Sequence, residues 1–527
     1  MNYFKKSLKL MAMLCMSFTF LVGCSAVSNQ AEAAPNLRTT QEPNTATTEL
    51  TPIKGGIVRT TISSEPDNLD PHLSAAADTE AIMNNVFEGL VGFTPDGEFV
   101  PRLAESFEVS NDGLNYTFVI RTDVKFHNGN PLTIDDVLYS YNRLSGLNGE
   151  AALSSKFAKV TQIEKLDDHT IRFILAERSA SFLSACTEAV IPAGYTEQSS
   201  QPIGTGPFLF KTYVPGQKIV LDANKTYYNT DRMPYIDTIE FRIVSDPNST
   251  LLALKSGDLD LAEIDYNNVL TLGHDYNIFS NPQNMVQLMA LNNEVAPFDD
   301  VRVRQAINYA IDKDVIVEGV ANGFATKLYT TASPVMAFWY NDLSASDPYP
   351  YNPELAKALL SESGYPNGFT TTIKVPSNYP FHIDTAQVLA DMLSQVGITL
   401  NIELIEWGQW LETVYTNGNY ETTIVGLAGK LEPHEIFVRF QSDYAKNFYH
   451  FKNAEYDTLI SQANLEIDNT KRAKLYKQAQ KLVADEAVAV FLTDPHLVRV
   501  SKSDLFGYTP YPAPYFDATT LYYVAQQ

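Results

Sequence analysis

Apolar positions along this chain recur with two periods, and the period switches at glycine and proline. The β-branched and aromatic runs at 57–62, 116–120, 170–175 and 239–244, separated by turn residues, predict strands. Val303, Ala306, Ile307, Ala310 and Ile311 recur at helical spacing, with Asp299 or Asp300 as the N-cap. Asn352 and Pro353 predict a helix start; Leu355, Ala358 and Leu359 form its apolar stripe, and Gly364 and Pro366 end it. A second helix carries Val388, Leu389, Met392, Leu393 and Val396 and stops at Gly397. Directly after it Ile398, Leu400, Ile402 and Leu404 alternate with polar residues as a strand does. Helix, glycine, then strand is the order of an α/β layered fold. Helices at 456–467 and 471–484 precede a β-rich tail.

The N-terminus has a pattern of its own. Lys5, Lys6 and Lys9 precede an apolar run at 10–23, which is too short to span a bilayer and of the length of a signal-peptide core. It ends in Leu21-Val22-Gly23-Cys24, which resembles the bacterial lipobox. That resemblance implies cleavage before Cys24 and a lipid on its thiol. Residues 25–51 are Ser, Thr, Ala, Asn, Gln, Glu and Pro with almost no large apolar side chain, and cannot offset the entropy of ordering. Such a leash reaches roughly 30 Å on average. The expectation is a signal peptide at 1–23 and a lipidated tether at 24–54, holding the body at the outer face of the cell membrane.

Composition narrows the chemistry. At 45% hydrophobic and 11% aromatic the chain has material for a large core. Acidic residues outnumber basic ones 62 to 38, a balance that disfavours nucleic acid as a partner. Beyond the leader only Cys24 and Cys186 remain, so the exported fold does not rest on disulfides; Cys186, in an apolar setting, reads as a buried small hydrophobe. No two of the eight histidines are spaced as a helical metal-ligand pair, and there is no C-x-x-C, G-x-S-x-G, phosphate loop or EF-hand. The sequence therefore gives no catalytic residue, no cofactor and no enzyme class.

Several motifs do converge. They are Leu69-Asp70-Pro71-His72; Pro101-Arg102-Leu103-Ala104-Glu105-Ser106 leading to Lys125-Phe126-His127-Asn128-Gly129; Pro202-Ile203-Gly204-Thr205-Gly206-Pro207-Phe208; Ser256-Gly257-Asp258-Leu259-Asp260; and the stretch from Pro297 through Asp300 and Arg304 to Ala306. In this order and spacing the chain resembles the family-5 extracellular solute-binding proteins, the peptide/nickel class of ABC-importer receptors. The resemblance implies a two-lobed periplasmic-binding-protein-like clamp of α/β class with an extra subdomain in one lobe. Lobe I would comprise 55–82, 203–290 and 485–527, the extra subdomain 83–202, and lobe II 291–484. Gly204, Thr205, Gly206 and Pro207 are expected as a hinge, glycine permitting positive φ and proline fixing direction; a tight turn packed under the sheet is the compatible alternative. The implied protein is a monomer that closes on its ligand and presents it to a permease and its ATPase.

The same resemblance points at ligand residues. Peptide-binding members carry a Gly-Trp-x-x-Asp-x-x-Asp-Pro stretch whose first aspartate meets the ligand ammonium. Here Val425-Gly426-Leu427-Ala428-Gly429-Lys430-Leu431-Glu432-Pro433 stands in its place, with Gly429 at the aspartate position. Lys430 would instead meet a ligand carboxylate. Glu432-Pro433-His434 resembles the Asp-Pro-His of nickel-type members, which makes His434 a pocket residue if the cargo is a chelated metal; otherwise no metal is expected. Trp407 and Trp410 offer a stacking surface or core packing, and Ala75 and Ala77 leave room for a bulky ligand. Three readings follow: a receptor for short peptides or peptide-like solutes, a receptor for a nickel chelate or opine-like metallophore, and an enzyme or surface adhesion protein on the same scaffold.

Overall fold

The strand Ile57–Ile62 turns Val58, Thr60 and Ile62 inward and leaves Ile57 exposed, as its alternation requires. It edges a four-stranded sheet in the order Ile57–Ile62, Thr238–Ile243, Lys218–Ala223, Phe208–Val214, in which only the first pair is parallel. The computed structural model describes residues 51–525; the signal peptide, Cys24 and nearly all of the tether lie outside the described residues. The folded body starts earlier than Gly55, because Pro52–Ile53 pair with Val524 and Tyr523 of the C-terminal strand.

A second, antiparallel sheet runs Ala104–Val109, Asn115–Ile120, Thr170–Leu175, Val160–Lys165. The helix Ile134–Ser145 covers it, started by a capping box between Thr133 and Asp136 and ended at Gly146 with φ 75°. Cys186 is a buried free thiol in this core. The inserted body joins the first sheet through two adjacent stretches: the Val190 amide donates to the Glu88 carbonyl, Gly206 to Val86, and Phe208 to Asn85.

The largest sheet runs from the first lobe into the second, in the order Leu261–Glu263, Ala489–Lys502, Met285–Leu291, Thr422–Ala428, Thr370–Pro376, Thr399–Ile405; Leu261 packs in the first-lobe core, and the strands from Met285–Leu291 onward form the second lobe. Its two faces are both apolar. Leu288, Ala290 and Phe491 pack under the helices Ala454–Leu465 and Asn469–Asp485, whereas Met289, Leu291 and Val490 pack under Val301–Tyr309, Pro353–Glu362 and Pro380–Ser394. Asp300 is the N-cap of Val301–Tyr309, and Asn352 caps Pro353–Glu362 by accepting from the Leu355 amide. The stripe of that second helix is shifted by one residue: Ala356 and Leu360 are buried while Leu355 and Ala358 face solvent. The strand expected after Gly397 is present, but at the sheet's edge, which leaves Ile402 and Leu404 exposed.

Two antiparallel segments link the lobes. The 14-residue strand Ala489–Lys502 pairs with Met285–Leu291 at its start and with Tyr276–Pro282 at its end. The lobe boundaries expected at 290 and 485 are thereby corrected, because Met285–Leu291 and Ala489–Thr493 pair within the second-lobe part of the sheet. Gly204-Thr205-Gly206-Pro207, expected as a hinge or a tight turn packed under the sheet, lies where the inserted body rejoins the first sheet. Neither Gly204 nor Gly206 has a positive φ, and a Cβ at either would collide with the backbone of Asn85 and Val86. These glycines permit close packing there, which the tight turn requires.

Candidate functional site

The helix Ala77–Met83 is set by Asp67, whose carboxylate accepts from the Ala75 and Ala76 amides at 2.6 and 3.0 Å. Burial works to raise the Asp67 pKa, yet these bonds hold it down at about 2. Facing this helix across a gap is the stretch after the strand Thr422–Ala428, which leads into the helix Pro433–Phe437. Between them lies a cavity of about 500 Å³ lined from both lobes. Ala75, Ala77, Glu80, Arg102, Lys156 and Glu188 are on the first-lobe wall, and Gly429, Lys430, Leu431 and Glu435 on the second.

Most charges in this cleft are already engaged by protein. Lys156 pairs with Glu188 at 2.6 Å, and Arg232 with Asp517 at 2.7 Å. Glu88 accepts from the hydroxyls of Tyr227, Tyr228 and Thr205 at 2.6, 3.1 and 3.1 Å, and burial raises its pKa. Glu432 accepts from the His434 amide at 3.0 Å and is ion-paired to the buried Arg472, which also donates to the Tyr476 hydroxyl at 3.2 Å. Among the described residues four charged side chains of the cleft make no hydrogen bond or ion pair of their own: Arg102 and Glu80 on one wall, Lys430 and Glu435 on the other. Burial raises the Glu80 pKa, with Lys156 and Lys430 opposing it.

Not all of the residues expected at the ligand are here. Ala75, Ala77, Gly429 and Lys430 line the cavity; Trp407, Trp410, Gly426, Leu427 and His434 do not. Trp410 is 1% exposed, its indole N–H donates to Thr423 Oγ1 at 2.9 Å, and its ring stacks on Trp407 at 5.1 Å and 6°. Core packing thus replaces the stacking surface. The Gly426 amide donates to His382 Nε2 at 3.0 Å, and Leu427 packs on the same core as Trp410. His434 is half-buried near Arg472, its buried Nδ1 having no hydrogen-bond partner among the described residues; burial first, then Arg472 and Lys159, lowers its pKa to about 4. Among the described residues no three His, Cys, Asp or Glu side chains are grouped to hold a metal ion.

Gly429 has a specific reason to be glycine. Its amide donates to the Asn284 carbonyl in the short connection between Tyr276–Pro282 and Met285–Leu291, and a Cβ would overlap Asn284. Asn284, at φ 57°, also donates through Nδ2 to the Pro512 carbonyl at 2.8 Å, so the cleft wall rests directly on the link between lobes. The sequence reading missed Arg102, Glu80 and Glu435 as cleft residues. Arg102 had a visible signal, as the one charge inside Val100-Pro101-Arg102-Leu103-Ala104; Glu80 and Glu435 sit in ordinary polar surroundings and had none.

Two α/β lobes joined by a pair of strands, with a charged cleft between them, define the clamp class of solute receptors. Residues 98–448 match the bacterial extracellular solute-binding proteins, family 5, and the chain belongs to that family. It is 32% identical over 455 residues to heme-binding protein A of Haemophilus influenzae, covering 78% of this chain and 81% of the relative. It is 29% identical over 497 residues to the dipeptide-binding protein of Escherichia coli, covering 85% and 91%. Among solved structures it resembles the periplasmic binding protein DppA of Helicobacter pylori in complex with the peptide STSA, with a TM-score of 0.72, 28% identity and coverage of 90% and 99%. HbpA2 of Haemophilus parasuis shares the fold at a TM-score of 0.80 and 24% identity, covering 89% and 100%. Members of this family are extracytoplasmic transport binding proteins, not enzymes. Among the described residues no helix is long and apolar enough to cross a membrane.

Proposed function

We propose that this chain is the receptor of an ABC importer for short peptides, held at the outer membrane face by a lipid on Cys24 and working as a monomer. The observation that carries the ligand class is the cleft of about 500 Å³ with uncommitted charges of both signs on both walls. A peptide is a zwitterion with polar backbone groups between its ends, and it answers such a cleft without leaving a buried charge unpaired. The relatives named for dipeptide binding and for a bound tetrapeptide agree with this reading. The metal-chelate reading is weaker, because His434 does not line the cavity and Glu432 is engaged by Arg472.

A thermal-shift screen of the body without its leader tests the ligand. Di- to pentapeptide mixtures are expected to raise the melting temperature, as any ligand of the native state does. A shift with a nickel–histidine chelate and none with peptides would replace this reading with the metallophore one. The anchor is tested separately: Cys24→Ser is expected to move the protein from the membrane fraction into the soluble extracytoplasmic fraction.

A further inference from the structure

Arg102 follows the strand Phe99–Pro101, which pairs with Val91–Phe93 at the rim of the first lobe. Its backbone is fixed: the amide donates to the Leu90 carbonyl at 3.0 Å, and its own carbonyl accepts from Arg121 Nε at 2.8 Å. Its side chain runs across Gly92, where a Cβ would meet Nε at 2.7 Å and Cγ at 2.8 Å, so the absence of a side chain at 92 opens this path into the cleft. The Glu88 carboxylate feels the Arg102 charge, but no neighbouring group forms a hydrogen bond or ion pair with its guanidinium. Arg232 holds Asp517, and the Glu88 carboxylate is occupied by Tyr227, Tyr228 and Thr205. Arg102 is thus a half-buried guanidinium in the cavity wall with no hydrogen-bond acceptor among the described residues. Beside it Phe93 meets Tyr515 edge-on at 5.1 Å, which gives the spot an apolar flank.

We infer that Arg102 receives a carboxylate of the bound peptide in a bidentate pair, and so fixes the end of the ligand that enters the first lobe. A planar fork of donors matches a carboxylate, and a partly dry wall strengthens the pair relative to water. The carboxylate that every short peptide carries, whatever its side chains, is the C-terminal one. The ammonium end then lies toward Glu80 and Glu435, the two uncommitted carboxylates of the same cleft. This inference rests on the peptide reading above and adds an orientation to it.

Calorimetric titration with a peptide that binds, as the free acid and as its C-terminal amide, separates the two. The wild-type protein is expected to lose roughly ten- to a hundredfold in affinity for the amide. Arg102→Gln is expected to lose a similar factor for the acid and little more for the amide, with an unchanged melting temperature in the absence of ligand. Equal wild-type affinity for acid and amide would overturn the role of Arg102 while leaving the peptide reading intact, and it requires no variant to fold. An Arg102→Gln protein that still discriminates acid from amide would overturn it too. If no peptide in either form binds the wild type, the function reading itself fails.

Discussion

Glu432 reaches the cleft wall, yet its carboxylate is fixed by Arg472, whose guanidinium also lies over the rings of Trp339 and Tyr476 at 5.4 and 5.3 Å. Both partners are buried. Removing one leaves the other charged without compensation, so Glu432→Ala is expected to lower stability by about 3–5 kcal/mol in urea unfolding. Part of that loss should return when Arg472→Met is added, because the stranded cation is then gone. At the neighbouring position Gly429→Asp restores the acid that the resemblance associates with a peptide ammonium. It is expected to gain no peptide affinity and to lose about 1–3 kcal/mol of stability, since the new side chain overlaps Asn284. A rise in peptide affinity would show that the wall at 429 can yield. These residues explain why the motif at 425–433 was readable as a sequence and misleading as chemistry: spacing reveals which position is substituted, not what packs behind it.

At the scale of elements the pair of linking strands carries the most unusual group. Asp494 is fully buried on Ala489–Lys502, and its Oδ1 accepts from the Gln283 amide at 3.1 Å. Burial raises its pKa from 3.8 to about 7, against hydrogen bonds that oppose the rise. Between those two values the folded chain keeps a proton that the unfolded chain has released, so this group's contribution to stability falls as pH rises through the window and is level above it. His127, His382, His434 and His496, each lowered to about 4 by burial, act in the other sense and destabilise as pH falls below 6.5. Comparing Asp494→Asn with the wild type isolates the carboxyl. The variant is expected to gain in urea midpoint at pH 8 relative to pH 4, and the same difference at both values would contradict the assignment. The link also marks a limit of sequence reading. The tail at 485–527 was legible as β-rich, but no local pattern reveals that one strand serves both lobes.

Across the whole molecule, the motifs that carry the family resemblance supply, Arg102 apart, joints of the scaffold. Asp70 grips Arg143 of the inserted body at 2.8 and 3.1 Å, while His72 accepts from the same guanidinium through Nδ1 at 3.0 Å and donates through Nε2 to Ala189. His127 donates to the Gly206 carbonyl at 3.0 Å, which ties two motifs together. Asp260 receives the Arg59 amide at 2.8 Å and Lys502 Nζ at 2.6 Å, and Arg304 donates to the carbonyls of Phe298, Glu486 and Ala487. Joints depend on residues of fixed identity, so fold and class were legible. The ligand cleft uses single charges on otherwise ordinary elements, as Glu80 and Glu435 show, and these leave no pattern to read. Small-angle X-ray scattering of the body, with and without a saturating peptide, tests whether this molecule is a peptide clamp. Closure of the two lobes predicts a smaller radius of gyration with peptide and none with the corresponding free amino acids. A bound peptide that leaves the radius unchanged would contradict capture by lobe closure.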